Sequence, residues 1–290
     1  MMMTRLMSKL LILTLLSSAV VSAKSTANEK VEKDIIAYVK KAINVNKNFK
    51  LKEIRVGQSA TVDTLPNWKV YFLDIDLEVE KKKKKKDSIM TVHDKIFSNG
   101  TYIVRDFINM KTKSSLKDHM APDLDEKAFY KADHLLYGNA DAKMKIVAFS
   151  DPICPFCQSY MPKLLKAAKE HPDKIALYYY HFPLTMLHKE APTVIKAILV
   201  AEKQGVKNVV EKVYAAKFEL NTDDDKKILK AFNKAIGTHI TEKDINAQDI
   251  LTHYSEDIEA GGKLMTSGTP TIYVDGKKDY SRNKYKEIIK

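Results

Sequence analysis

Cysteine is nearly absent from this chain: 290 residues hold two, Cys154 and Cys157. Two cysteines exclude a disulfide-stapled scaffold, and they fall short of a structural zinc site, which takes four ligands. No second Cys-x-x-Cys exists to complete one, and no histidine pair stands at ligand spacing; His181 and His188 are seven apart and straddle Pro183. Arginine is scarce too, at Arg5, Arg55, Arg105 and Arg282, so the net charge of +12 is carried by lysine. Without arginine–aromatic clusters, that charge reads as a lysine-rich solvated surface and not as a nucleic-acid footprint. Apolar runs long enough to span a bilayer, about 20 residues, are also missing. There is one tryptophan, Trp68, which reads as core.

The two cysteines lie in Asp151-Pro152-Ile153-Cys154-Pro155-Phe156-Cys157. An apolar run from Met144 to Phe149 precedes them, and Tyr160, Leu164, Leu165 and Ala168 follow at helical steps. A strand, a sharp turn and a helix opening on Cys-x-x-Cys is the setting of a redox dithiol. Pro155 suits the first helical position, where its missing N–H costs nothing. Cys154 then sits at the helix N-cap, where unpaired N–H groups and the dipole favour a thiolate. It is expected to be accessible, with Cys157 one turn on and deeper. A locked structural bridge closing so short a loop would stabilise little.

The chain begins with an export signal over residues 1–23: Arg5 and Lys9, an apolar Leu10 to Leu16, then Val21-Ser22-Ala23 as a small-residue cleavage site. The mature protein is thus expected outside the cytoplasm, in a compartment where disulfides form. Residues 24–110 read as a small α+β domain. Thr26 and Glu29 form a capping box, and Val31, Ile35, Val39 and Ile43 make one helical stripe. Four strands follow, at 54–62, 68–79, 88–97 and 101–108, the last two joined by Asn99-Gly100. Lys81 to Lys86 reads as a solvated hairpin loop.

Residues 111–137 read as a polar linker and a linker helix capped by Asp123. From 138 to 290 the pattern is strand, Cys-x-x-Cys helix, the apolar strand Ile175 to Tyr180, a helical stretch over about 184–266, and a closing hairpin and helix. The expected fold is α/β plus α+β: a thioredoxin fold with a helical insertion, preceded by a small domain of one helix and an antiparallel sheet.

Gly138-Asn139, Phe149-Ser150-Asp151, Cys154-Pro155-Phe156-Cys157, His181-Phe182-Pro183 and Gly268-Thr269-Pro270 together resemble the DsbA-like thioredoxin oxidoreductases. Asp151-Pro152-Ile153-Cys154-Pro155, and Thr269 before Pro270, are more similar to the dimeric DsbG and DsbC proteins. The whole layout resembles dimeric epsilonproteobacterial oxidases with an N-terminal domain. The resemblance implies a periplasmic thiol:disulfide oxidoreductase with Cys154 as nucleophile and Cys157 as resolving thiol. It also implies a cis Thr269–Pro270 loop that binds substrate, and homodimerisation through residues 24–110. The implied partners are cysteine-containing or unfolded exported proteins and a membrane redox partner that recycles the dithiol; no nucleic acid, cofactor or metal is called for.

Oxidase is the first expectation; an isomerase or reductase, and a dimeric holdase chaperone, stay open beside it. Moving from about −270 mV to about −120 mV takes roughly 7 kcal/mol. Lowering a thiol pKa from about 7 to about 5 supplies only about 2.3 kcal/mol at pH 7. Pro155-Phe156 also brings no histidine beside the thiolate.

Overall fold

The computed structural model describes residues 28–43, 49–79, 88–218 and 220–290. The export signal, Thr26 and the six-lysine run lie outside the described residues. The chain forms two compact units, Met1–Pro122 and Asp123–Lys290.

The first unit is one helix on an antiparallel sheet. Helix α1 spans 28–43 and buries Ile35 completely, with Val31, Val39 and Ile43 packed along the same side. The sheet is a meander of β1 (Phe49–Thr61), β2 (Lys69–Val79), β3 (Ser88–Ser98) and β4 (Ile103–Val104), in that order. Tyr71, Leu73, Ile75 and Leu77 of β2 alternate toward α1 as a half-buried strand dictates. Val70 and Phe97, on the other face, are also buried, because Phe107 packs edge-on against Phe97 and Trp68.

The β3–β4 turn is built by Asn99, whose side-chain carbonyl accepts from the Thr101 and Tyr102 N–H groups, while Gly100 takes φ +87°. The fourth strand is far shorter than its apolar pattern suggests: beyond Val104 the chain leaves the sheet. Residues 107–120 fold back onto this unit, around the short helix α2 (Leu116–His119), and the Lys95 ammonium donates to the carbonyls of Lys117 and Met120.

The second unit opens differently from the expected helix. The stretch after Asp123 breaks into α3 (Glu126–Phe129), a 3₁₀ turn (Ala132–His134) and strand β5 (Leu135–Tyr137). Leu135 and Tyr137 are drawn into a ladder with strand Ile175–His181, so sheet pairing overrides helical spacing. The rest follows as β6 (Met144–Ser150), α4 (Pro155–Glu170), β7 (Ile175–His181), α5 (Ala191–Lys203), α6 (Val209–Ala216), α7 (Asp225–Ile236), α8 (Glu242–Ile245), α9 (Gln248–Lys263), β8 (Thr271–Val274), β9 (Lys277–Lys278) and α10 (Tyr285–Ile288).

The sheet order is β5-β7-β6-β8-β9, with β6 and β7 parallel and the other pairs antiparallel. The central strands are covered on both faces, which explains the unbroken apolar run Ile175 to Tyr180. Helices α5 to α9 form the insertion, breaking at Gly205 and Gly237 in left-handed conformation, as C-terminal caps require. Strand β6, helix α4 and the turn before β8 meet where the two cysteines lie. Among the described residues no helix is long and apolar enough to cross a membrane.

Candidate active site

The site is built at the C-terminal end of β6. Asp151, fully buried, organises the turn there: its carboxylate accepts from the Ile153 N–H (2.8 Å), the Leu184 N–H (2.8 Å) and the His188 Nδ1–H (2.7 Å). Its carbonyl accepts from the Cys154 N–H (3.1 Å). One side chain thus ties the dithiol turn to the loop that leads into the insertion. That loop exposes Met186 and Leu187, and Phe156 beside the nucleophile is 72% exposed.

Cys154 is the N-cap of α4, in extended conformation, with Pro155 at the first helical position. Both thiols are free. The expectation of an accessible Cys154 needs correction: it is 3% exposed, because the segment before β8 lies over it. The Cys154 Sγ stands 3.6 Å from the Thr269 carbonyl oxygen. Thr269–Pro270 is a cis peptide, and both residues are buried. The structure therefore brings Cys154, Cys157 and Thr269 together, with Pro155 shaping the helix start, Pro270 behind Thr269, and Phe156 pointing to solvent.

The two thiols are pushed in opposite directions. The hydrogen bond from the Cys157 side chain holds Cys154 well below the ordinary thiol range, against its burial, helped by the backbone N–H groups of Cys157 and Phe156 and by Thr269. Burial, then the neighbouring Cys154, pushes Cys157 well above that range. The Thr269 hydroxyl is buried and makes no hydrogen bond among the described residues, and it bears on both sulfurs. Such a pair offers one ionised thiolate at neutral pH and holds a second thiol in reserve.

Near Cys157 lie three buried hydroxyls that no sequence spacing connects. Ser150 Oγ is 2.7 Å from Tyr214 Oη, which is 2.9 Å from Tyr179 Oη. Ser150 and Tyr179 belong to β6 and β7, but Tyr214 arrives from α6 in the insertion, 64 residues away in the chain. No local spacing signals such a meeting.

A second polar cluster sits between the 3₁₀ turn and α9. His134, His253 and Asp257 are the one group of the described residues that could hold a metal ion, with donor atoms within 4.8 Å of one another. In the structure His134 is instead hydrogen-bonded on both sides, Nε2 to Asp257 (2.8 Å) and Nδ1 to Asp133 (2.8 Å). With a carboxylate at each nitrogen the ring must carry both protons. Burial opposes that charge, but the bonds to Asp257 and Asp133 outweigh it and raise its pKa. The other Asp257 oxygen accepts from the His181 N–H at 2.9 Å.

Residues 130–290 match a family model described as Thioredoxin. The probable disulfide bond formation protein D of Bacillus cereus is 26% identical over 148 residues, 48% of this chain and 68% of that protein. A Na(+)/H(+) antiporter NhaA 1 of Mycolicibacterium gilvum is 25% identical over 151 residues, 50% of this chain; the chain spans only 24% of that relative's length. Among solved structures, a thioredoxin-like oxidoreductase from Silicibacter pomeroyi aligns with a TM-score of 0.47 at 17% identity, over 57% of this chain and 95% of that one. The matched region contains the dithiol, the Thr269–Pro270 segment and the insertion, and takes in more than half of the chain, which belongs to the thioredoxin family.

Proposed function

We propose that the protein is a thiol:disulfide oxidoreductase that introduces disulfides into exported proteins through Cys154 and Cys157. The observation that carries this reading is the opposite perturbation of the two thiols: a stabilised Cys154 thiolate at the helix terminus and a buried, protonated Cys157. In the oxidised protein a client thiolate attacks the Cys154 sulfur, the Cys154–Cys157 bond breaks, and Cys157 leaves with the electron pair. A second client thiolate then attacks the client sulfur of the mixed disulfide. A client disulfide forms and Cys154 departs as the thiolate its surroundings favour. The client is oxidised and the dithiol reduced, so a membrane redox partner must take up two electrons to restore the disulfide.

Exposed Phe156, Met186 and Leu187 supply apolar surface for an unfolded client, and the Thr269–Pro270 segment lies where such a chain would meet Cys154. The name of the Bacillus cereus relative, a disulfide bond formation protein, supports the same chemistry. Residues 1–23 carry the pattern of an export signal, which supports a periplasmic location.

The first unit is proposed as a dimerisation domain of the DsbG/DsbC-like layout, as in the epsilonproteobacterial dimeric type. Among the described residues, 88–96 of β3 pair only with β2, and Ile89, Met90 and Val92 on that strand are exposed, an edge suited to a second copy. A C2 pair would offer two Cys154 sites to one client, which also suits an isomerase or a holdase.

The test is oxidation of a reduced, unfolded cysteine-containing protein in glutathione buffer. The oxidised protein should accelerate disulfide formation, and Cys154→Ser should abolish it. Faster rearrangement of scrambled disulfides with no gain in net oxidation would move the assignment to an isomerase. Client holding that survives replacement of both cysteines by serine, with no exchange at all, would make it a chaperone.

A further inference from the structure

We infer that the buried hydroxyls of Ser150, Tyr214 and Tyr179 form a reversible donor chain that stabilises the Cys157 thiolate during disulfide exchange. The inference rests on the dithiol chemistry proposed above and assigns it a second set of residues. In that chemistry Cys157 must pass through a thiolate in either direction. It is the leaving group when a client thiolate opens the Cys154–Cys157 bond. It is the nucleophile when it attacks Cys154 in a mixed disulfide, forming the Cys154–Cys157 bond and expelling the client sulfur with its electron pair. Yet Cys157 is fully buried, and burying an anion without hydrogen bonds is costly.

Beside its burial, the groups that bear most on the Cys157 thiol are Cys154, Ser150 and Thr269. Ser150 stands at the end of β6, bonded at 2.7 Å to Tyr214, which is bonded at 2.9 Å to Tyr179; Tyr214 and Ser150 are completely enclosed, and Tyr179 nearly so. A hydroxyl has one proton to donate. When the sulfur is a thiolate, Tyr179 donates to Tyr214, Tyr214 to Ser150, and Ser150 to the sulfur. In the mixed disulfide, where Cys154 no longer accepts it, the Cys157 S–H can donate to Ser150 and every bond in the row reverses. Each donor polarises the next, which strengthens the terminal bond in a water-free interior. No hydroxyl is ionised at any point: the thiol's proton is released to solvent or to the departing client thiolate, and the chain only reorients. Cys157, Tyr179 and Tyr214 share one buried cluster, and Ser150 is the hydroxyl of the row that bears on the reacting sulfur; Tyr214 and Tyr179 act through it and are positioning residues.

The experiment uses the full-length reduced protein and excess dithiobis(nitrobenzoate), whose nitrothiobenzoate anion is coloured. Attack by Cys154 releases the first anion, and closure of the disulfide by Cys157 releases the second, so the two steps are read separately. In Ser150→Ala the second phase should slow about tenfold at pH 7, as loss of a hydrogen bond to a charged group implies, and its pH profile should shift upward by about one unit. Tyr214→Phe should slow it several-fold, and Ser150→Thr, which keeps the hydroxyl, should restore it. The first phase and the Cys154 titration should not move. A second phase unchanged in Ser150→Ala overturns the chain and leaves the dithiol reading intact, whereas a wild-type protein that releases no anion overturns both. Should Tyr214→Phe fail to fold, the Ser150→Ala and Ser150→Thr pair decides alone.

Discussion

The Cys154 sulfur lies 3.6 Å from the carbonyl oxygen of Thr269, a residue 115 positions later in the chain. The nucleophile is therefore roofed by the segment that precedes β8, and its own neighbour Phe156 is the more exposed of the two. A client must reach the sulfur along that segment, which places Thr269 between the thiolate and the incoming chain.

Thr269 should accordingly matter to the thiolate itself. Its hydroxyl is buried without a hydrogen-bond partner among the described residues, and it bears on Cys154. Thr269→Val keeps the shape and removes the donor, so the far-ultraviolet thiolate absorbance of the reduced protein should titrate about one unit higher than in the wild type. In the wild type the transition should lie well below the ordinary thiol value of about 8.5, and Cys154→Ser should eliminate it. A wild-type midpoint at the ordinary value would refute the stabilised thiolate.

The buried histidines give opposite pH dependences. His134 has a raised pKa, because Asp257 and Asp133 outweigh its burial. Its contribution is fully present below the unfolded value of about 6.5 and is lost as pH rises through the higher folded value. Glu202, raised to about 7 by burial and then by Asp257, loses stability in the same direction. His181 is lowered to about 4 by burial, so the unfolded state takes up its proton first, and stability falls as pH drops from about 6.5 toward 4. Denaturation midpoints across pH should therefore decline on both sides of a maximum. In Asp257→Asn the decline above pH 6.5 should flatten, at an overall cost of about 3 kcal/mol from breaking a buried pair. An unchanged alkaline limb would reject the His134–Asp257 pair as its source.

Two glycines share a left-handed backbone but should differ in consequence. Gly138, at φ +86°, leads from β5 toward β6, and a Cβ there would fall 1.8 Å from the Ile175 carbonyl oxygen. Gly205, at φ +82°, has nothing within 4 Å of the same position. Gly205→Ala should cost about 1–2 kcal/mol, the left-handed penalty alone. Gly138→Ala should cost about 3 kcal/mol or more, since the backbone of β7 must also move. Equal losses in chemical denaturation would show that close approach does not govern Gly138.

The parts legible in the sequence are those with local causes. Pro155 after Cys154 marks a helix start, Asn99-Gly100 a hairpin, and Ile175 to Tyr180 a strand buried on both faces; each needs only its neighbours. Residues 124–137 suggest a helix because Leu124, Ala128 and Leu135 stand near helical spacing, whereas Leu135 and Tyr137 are claimed by the edge of β7. The cover over Cys154 was not legible, since it depends on a segment folding back from the far side of the insertion. Ser150 and Asp151 could be quoted as part of a motif, but their partners Tyr214 and His188 come from the insertion and the loop before it, and only the fold sets them within hydrogen-bonding distance.

The last prediction concerns assembly through the first unit. Among the described residues, no strand pairs with the outer side of β3 from Ser88 to Ile96, and on it Ile89 is 65% exposed, Met90 44% and Val92 36%. A long, apolar, free edge is a site for strand addition unless it is covered, and a two-fold axis lets one edge cover its twin. Light scattering at micromolar concentration should then return about twice the 33.0 kDa mass of the chain, less any leader removed. Ile89→Lys with Val92→Lys places charge on that edge, Ile89 opposite Glu78 on the face away from α1 and Val92 opposite Ile75 at the half-exposed rim of the α1 face, while Ile35, Tyr71 and Leu73 themselves are unchanged. The double variant should be monomeric, should retain both phases of reaction with dithiobis(nitrobenzoate), and should lose most of its capacity to hold an unfolded client. A wild-type monomer rejects pairing outright. A variant that stays dimeric places the interface elsewhere, with the outer edge of β1, which among the described residues pairs only to β2, as the next strand to test.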